Sequence, residues 1–282
     1  MYLVIGSTGN VGGALVTQLR RQGHDVRAFV RDASRAGRFP DGTDIAVGDL
    51  DDVESLTAAA RGADGVFFMQ VASGTTAQTE NMVKAARTAG VRKIVQLSSV
   101  AARQVPVQPM GAGLAAREQV LRQSGLDVTY LRPRGLMSNA LWWAPAIRDQ
   151  GRVTDATDPG LNPCVDPDDI ARVAALTLTQ DGHAGHGYIL SGPQALTARE
   201  QVETLADVLG RSIDFVAVTP EQFARDSIQR GTPVDLAGAL QKVNERFRAV
   251  VYETLTDDIE NLTGTAPGTF RDWCERHAGA FR

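Results

Sequence analysis

The chain has 282 residues and a formal net charge of −4, enough length to bury a large core and no long basic run that would recruit nucleic acid or an anionic membrane surface through charge. Its two cysteines, Cys164 and Cys274, stand far apart and read as reduced thiols rather than as a disulfide framework. No apolar run reaches the roughly 18 residues of a membrane span, and no basic-then-apolar leader opens the chain, so a cytoplasmic protein with a small-molecule partner is expected.

Tyr2-Leu3-Val4-Ile5 suits a buried parallel strand, and Ala14 to Arg21 holds good helix formers, with Val11, Leu15 and Leu19 along one face. Between them lies Gly6-Ser7-Thr8-Gly9-Asn10-Val11-Gly12-Gly13. Glycines between a strand and a helix let the backbone turn sharply. They also let a phosphate approach the free N–H groups and the positive dipole end of the helix. The spacing is Gly6-x-x-Gly9-x-x-Gly12 rather than G-x-G-x-x-G, so the strand–helix context is what favours a dinucleotide site over a bare tight turn.

Asp25 to Val30 forms a second strand and ends in Arg31-Asp32. An acidic residue at that end accepts from the adenosine ribose hydroxyls; here Val30 holds the place and a guanidinium follows. Arg31, with Ser34 and Arg35 close behind, is therefore expected to pair with a 2′-phosphate and to select NADP(H) over NAD(H). Ile45-Ala46-Val47 is a third strand, and Gly48-Asp49-Leu50 after it reads in two ways. Asp49 accepts from the adenine amine while Leu50 covers the ring, or the segment is an ordinary strand-to-helix cap, since Asp51 and Asp52 precede a helix over 53–60.

Gly65 to Met69 is the fourth strand, Gln70 to Thr76 a loop, Thr79 to Ala89 a long helix and Lys93 to Leu97 the fifth strand. Strands alternating with helices give an α/β fold, a doubly wound parallel sheet whose ligands sit at the carboxyl ends of the strands. Ser98, at one such end, either donates to a substrate carbonyl as a catalytic candidate or satisfies backbone groups at the turn. A helix over 113–123, a sixth strand over Val128 to Leu131 and the turn Arg132-Pro133-Arg134-Gly135 follow.

These motifs, with Leu97-Ser98-Ser99, Ser124-Gly125-Leu126-Asp127 and Leu131-Arg132-Pro133, resemble the atypical short-chain dehydrogenases/reductases of the NmrA-like group. So do Val165-Asp166-Pro167-Asp168-Asp169-Ile170-Ala171, Leu190-Ser191-Gly192-Pro193 and Asp257 to Gly264 in the second half. The resemblance implies a Rossmann-type NADP(H)-binding core over 1–133. It also implies a smaller lobe, mostly over 134–282 with some elements returning to the core, that forms one wall of a substrate cleft. By position it carries over Gly6, Thr8, Gly9, Asn10, Val11 and Gly12 to the phosphates, Arg31 to the 2′-phosphate, and Asp49 and Leu50 to adenine. Gln70, Val71 and Pro133 then flank the nicotinamide side.

One departure bears on mechanism. The wider superfamily uses Tyr-x-x-x-Lys on the helix after the fifth strand, the Lys lowering the Tyr pKa so that Tyr relays a proton to the carbonyl oxygen. Met110 and Leu114 stand in those places, and Met110 to Glu118 contains neither Tyr nor Lys. Any reduction must proceed without that acid. Hydride transfer to a quinone or similarly activated acceptor leaves a stabilised anion that water can protonate.

Leu136 to Trp143 is rich in large apolar side chains. Neighbours on a helix point about 100° apart, so either one of Trp142 and Trp143 lies in the core and the other faces a planar polycyclic or quinonoid substrate, or both rings are structural packing between lobes. Phe68, Arg134 and Met137 are further substrate-side candidates, Arg134 orienting an anionic or phenolic group. His183-x-x-His186 lies in a glycine-rich turn without other ligands nearby, so no metal is expected. The leading reading is an NADPH-dependent reductase of a ketone, quinone or other conjugated acceptor, a monomer or homodimer. A non-catalytic NADP(H) sensor is its main rival, and an isomerase or epimerase with bound cofactor a weaker one.

Overall fold

In a computed structural model, which describes residues 1–71, 74–103, 109–250 and 255–282, the apolar runs become strands and the intervening amphipathic segments become helices. In chain order they are β1 (Tyr2–Ile5), α1 (Asn10–Arg21), β2 (Val26–Val30), β3 (Asp44–Val47), α2 (Val53–Ala60), β4 (Gly65–Phe68), α3 (Thr76–Ala89) and β5 (Lys93–Leu97). Then come α4 (Pro109–Arg122), β6 (Asp127–Pro133), α5 (Ala144–Gln150), β7 (Arg152–Asp155), α6 (Pro167–Thr179) and β8 (Gly187–Leu190). The chain finishes with α7 (Ala198–Leu209), β9 (Asp214–Ala217), α8 (Pro220–Gln229), α9 (Val234–Arg248), α10 (Asp258–Thr263) and α11 (Phe270–His277).

They group into two compact units. The first takes Met1–Arg134, Pro167–Leu190 and Asp257–Ala266. Its sheet has seven parallel strands in the order β3-β2-β1-β4-β5-β6-β8. The order reverses between β1 and β4, which opens a crevice outside the carboxyl ends of those strands. The sheet closes on Leu3, Ile5, Val66, Phe68, Ile94, Val128 and Tyr130, packed with Leu56, Met82 and Leu121 from α2, α3 and α4. Two helices start earlier than expected. α3 begins at Thr76 because the Thr75 hydroxyl accepts from Gln78 N, and α4 begins at Pro109, whose fixed φ suits a first turn.

A buried ion pair crosses this core. Glu118 of α4, 2% exposed, accepts from Arg132 of β6 through Nε at 2.9 Å and Nη2 at 2.7 Å. The Ser98 hydroxyl donates to the same carboxylate at 2.7 Å, and the Arg132 guanidinium also lies 5.2 Å from the centre of the Tyr130 ring.

The second unit takes Gly135–Asp166, Ser191–Thr256 and Pro267–Arg282, with β7 and β9 as a parallel pair. Its core gathers Met137, Ile147, Val153, Val202, Leu205, Phe270, Trp273 and Phe281 with both cysteines. Trp273 is fully buried and stacks between Phe270 at 5.7 Å and His277 at 4.4 Å. Both thiols are free, and burial pushes each up to about 12. α7 opens on a reciprocal cap between Thr197 and Glu200 and stops at Gly210, whose φ of 66° favours glycine. Among the described residues no helix is long and apolar enough to cross a membrane.

Candidate functional site

β1 ends at Gly6, which turns the chain at a φ of 81° and leaves no room for a Cβ, since one would meet Met69 Sδ at 2.7 Å. Gly9 N donates back to Gly6 O at 3.0 Å. A Cβ on Gly12 would come within 2.2 Å of Gly6 O, so α1 rests directly on the loop that precedes it. Gly9 caps α1 with no side-chain acceptor, and the first turn carries no acid. By contrast α2, α3, α7, α8 and α11 each have an Asp or Thr oxygen on that turn. The N–H groups at the start of α1 are thus left for an outside anion, at the point where the strand order reverses. The Ser7 side chain faces the other way. It is 1% exposed and donates to Phe29 O at 2.9 Å, tying the loop to β2, and Val11 is likewise buried, so both reach a ligand through their backbones only. Asn10 is exposed and Thr8 half-buried.

After β2 the chain makes a short 3-10 helix over Ala33–Arg38. Arg31 and Arg35 are exposed there, with no carboxylate pair among the described residues. Asp32, the acid between them, accepts from Ser34 N at 2.9 Å, and that hydrogen bond, then the Ser34 side chain and the Arg35 charge, hold its carboxyl below the usual range. Sequence reasoning overlooked Arg38, whose Nη1 donates to Thr8 O at 3.3 Å and joins this helix to the glycine loop. Nothing in the local pattern marks a side chain that folds back thirty residues.

At the end of β3, a Cβ on Gly48 would sit 2.6 Å from Ser55 Cβ and 2.9 Å from the Phe29 ring, so this turn requires glycine. Asp49 is exposed, and its Oδ1 accepts from Asp51 N at 3.0 Å. The cap of α2 is Asp52, which accepts from Glu54 N at 2.9 Å. Of the two readings, the helix-cap role therefore belongs to Asp52. Leu50 packs half-buried against the core, and its carbonyl accepts from Asn81 Nδ2 at 3.0 Å.

On the β4 side, Gln70 braces its own loop. Its Nε2 donates to Thr75 O at 3.1 Å and its Oε1 accepts from the Thr79 hydroxyl at 2.8 Å, so the side chain is already engaged. Val71 is 62% exposed. Ala72 and Ser73, in the same loop, lie outside the described residues. Phe68 corrects an expectation: its ring has 0% exposure and packs within the core, because both faces of β4 are covered, so it shows no face to a substrate. Ser98 is a correction too. Its proton is donated to Glu118, so the hydroxyl locks α4 to the sheet and is not free for a substrate carbonyl. Pro133 is buried at the end of β6, and Arg134 after it is half-buried.

α4 carries the places of the missing Tyr and Lys. Leu114 is half-buried and supplies no polar atom; the Met110 side chain lies outside the description. Three residues after Leu114, Arg117 is buried at 3% exposure and donates to Val71 O at 3.1 Å, a second cation that sequence reasoning overlooked. In the second unit Met137 is a further correction: expected on the substrate side, it packs in the core at 2% exposure and shows no face to a substrate. The tryptophan pair is split by exposure: Trp143 packs half-buried on the core and Trp142 is 79% exposed. Both sit on a 3-10 helix over Met137–Trp143. Among the described residues no three His, Cys, Asp or Glu side chains converge on a metal position. His183 Nδ1 lies 2.8 Å from the Tyr188 hydroxyl, and His186 stacks on the same ring.

Residues 6–181 match the protein family described as NAD(P)H-binding. The chain is 37% identical over 282 residues to (4-alkanoyl-5-oxo-2,5-dihydrofuran-3-yl)methyl phosphate reductase of Streptomyces griseus subsp. griseus, covering 100% of this chain and 99% of that relative. It is 34% identical to NAD(P)H azoreductase of Xenophilus azovorans, again covering 100% and 99%. Among solved structures, the NADPH-dependent quinone oxidoreductase QOR2 of Escherichia coli, complexed with NADPH, superposes with a TM-score of 0.86 at 24% identity, covering 99% of this chain and 100% of that one, which speaks to the fold.

Proposed function

Because the chain belongs to the NAD(P)H-binding family, we propose that it is a reductase that uses NADPH to reduce a ketone, quinone or other conjugated acceptor without a Tyr-x-x-x-Lys pair. The observation that carries this reading is the glycine-built, uncapped start of α1 with arginines at 31, 35 and 38 beside it. The residues present fit the cofactor. The backbone from Gly6 to Gly12 would hold the pyrophosphate, Arg31 and Arg35 the 2′-phosphate with Arg38 behind them, and Asp49 and Leu50 the adenine. Gln70, Val71 and Pro133 would frame the nicotinamide end. When bound, NADPH supplies a hydride; the protein's part is to bind and orient, and to leave the final proton to water.

Both full-length relatives named above reduce conjugated compounds by their names, which supports an acceptor of that class here. On the substrate side, Arg134 would meet an anionic or phenolic group. Trp142 offers an exposed aromatic face of the kind a planar acceptor stacks on. The layout is a cofactor core over 1–133 and a substrate lobe mostly over 134–282 with some elements returning to the core. The protein is cytoplasmic, a monomer or homodimer, with no nucleic-acid or membrane partner.

The test is anaerobic NADPH consumption across quinones, azo compounds and polycyclic aromatic ketones, with NADH alongside. Multiple turnovers on one acceptor class, lost when Gly9 is replaced by a bulky residue, are expected. Tight NADPH binding with no turnover on any acceptor would select the sensor reading, which the absence of Tyr and Lys from 110–118 favours.

A further inference from the structure

Arg117 is buried in the first unit with two backbone partners, Gly113 O at 3.4 Å from Nε and Val71 O at 3.1 Å from Nη1. Among the described residues no carboxylate pairs with it, whereas Arg132 from β6, facing the same helix, has Glu118 in a fork. Burial pushes the Arg117 pKa down. Desolvating a guanidinium with no counter-ion is unfavourable, and two carbonyls compensate for it only in part. Such a cation has a use where negative charge arrives.

Its position says where. Side chains on a helix lean toward its N-terminus, so Arg117, three residues past Leu114, covers the face on which the superfamily's lysine stands. Its partner Val71 lies just past β4, the first strand of the second half of the sheet. In a doubly wound sheet whose first half holds the adenosine, that second half holds the other nucleotide of the dinucleotide. The fit is close: a Cβ on Gly74 would come 2.9 Å from Arg117 Nη1.

We propose that Arg117 is the fixed positive charge against which negative charge develops on the acceptor during reduction, replacing the absent Tyr-Lys pair electrostatically. The inference rests on the reductase reading above. Bound NADPH would supply a hydride, that is, a hydrogen carrying the two electrons of a C–H bond. The two electrons of that C–H bond make the new bond to the electrophilic carbon or nitrogen, the π pair withdraws to the oxygen or second nitrogen, and water protonates the resulting anion. Arg117 keeps its own protons, since a guanidinium is a charge and not an acid at neutral pH. It acts through space, across the Val71 peptide, and so positions charge without touching the reacting atoms.

The experiment compares wild type, Arg117→Met and Arg117→Lys on a series of quinones whose reduced products span a range of acidities. It reads kcat, acceptor KM, NADPH dissociation constant and Tm. Arg117→Met is expected to lose about 10²-fold in kcat on acceptors with the least stable product anions and much less on the most stable, which steepens the dependence of rate on product acidity. KM and NADPH affinity should hold, Tm should stay level or rise, and Arg117→Lys should restore part of the dependence. An equal loss on every acceptor, or a lower Tm with weaker NADPH binding, would make Arg117 a loop brace and overturn the proposal. Failure of Arg117→Met to fold would overturn it as well, because a cation kept for catalysis is dispensable to the fold. Wild-type protein that turns over no acceptor would sink the reductase reading and this inference together, whereas turnover with an unchanged dependence sinks the inference alone.

Discussion

Arg132 and Arg117 are two buried arginines of the same unit, 9% and 3% exposed, and they are compensated in opposite ways. Arg132 has a buried carboxylate in bidentate geometry, a hydroxyl on that same carboxylate and an aromatic ring beside it. Arg117 has two peptide oxygens. The charge matched from within serves the fold, and the one left unmatched is the one we propose serves the reaction. The exposed arginines at 31 and 35, which we propose meet the 2′-phosphate, would extend the second category to the surface.

The largest way to break this contrast is to remove the acid from the matched pair. Glu118→Ala strands Arg132 in the core and should lower unfolding free energy by about 3–5 kcal/mol in urea titrations, while the double change Glu118→Leu with Arg132→Met should fall close to wild type. A loss below about 1 kcal/mol for the single variant would mean that the pair contributes little and that the contrast with Arg117 is empty.

The next effect concerns charges held for a ligand. Arg31→Ala should weaken NADPH binding by about 10- to 100-fold, the worth of a charge-assisted hydrogen bond, and leave NADH nearly unchanged; isothermal titration with both cofactors decides it. Arg38→Ala should show the same selectivity with a smaller loss. Equal effects on the two cofactors would remove the 2′-phosphate assignment.

A subtler variant sets fold and binding against each other at one atom. Gly9 sits at φ −84° and ψ 173°, which any residue adopts, so Gly9→Asp can place a carboxylate on the orphan N–H groups of α1. Stability should change by no more than a few tenths of a kcal/mol, since glycine is already a fair cap. NADPH binding should fall steeply as an intramolecular anion takes the place of the phosphate. A variant that binds NADPH normally would show that the α1 terminus is not the phosphate site.

The smallest effect tests the environment of the matched pair. Burial, opposed by the Arg122 charge, pushes the Tyr130 phenol above its ordinary value. A pKa raised by folding means that the protonated form is favoured in the native state. Tyr130 therefore contributes stability that is fully present below the unfolded pKa and lost as pH rises through the folded one. Absorbance at 295 nm should show it ionising later than in the unfolded chain, and a Tyr130→Phe variant should lose that late component.

The strands and the glycine loop were legible because they depend on patterns close in sequence: apolar runs and glycines between a strand and a helix. What escaped depends on residues brought together across the sheet. Ser98 looked like a candidate acid until Glu118, twenty residues away, proved to hold its proton. Phe68 sits near a strand end, which is visible in sequence, while the helices that cover both faces of β4 are not. Arg38 and Arg117 are ordinary surface residues to any periodicity argument, and only the backbone carbonyls they reach, Thr8 and Val71, distinguish them. In the second unit the tryptophan pair drew attention, yet the fully buried ring is Trp273 near the end of the chain.

The second unit is assembled from three separate stretches of chain, 135–166, 191–256 and 267–282, each spliced into a scaffold that resumes afterward, apart from the last. Two of the splices leave directly after the carboxyl ends of β6 and β8. Such a layout leaves the seven-stranded sheet and the glycine loop wholly to the first unit. It also forbids simple transplantation. A chimera that borrows a relative's specificity must exchange all three stretches together, because Phe270 and Trp273 from the last share one core with Met137 from the first and Val202 from the second.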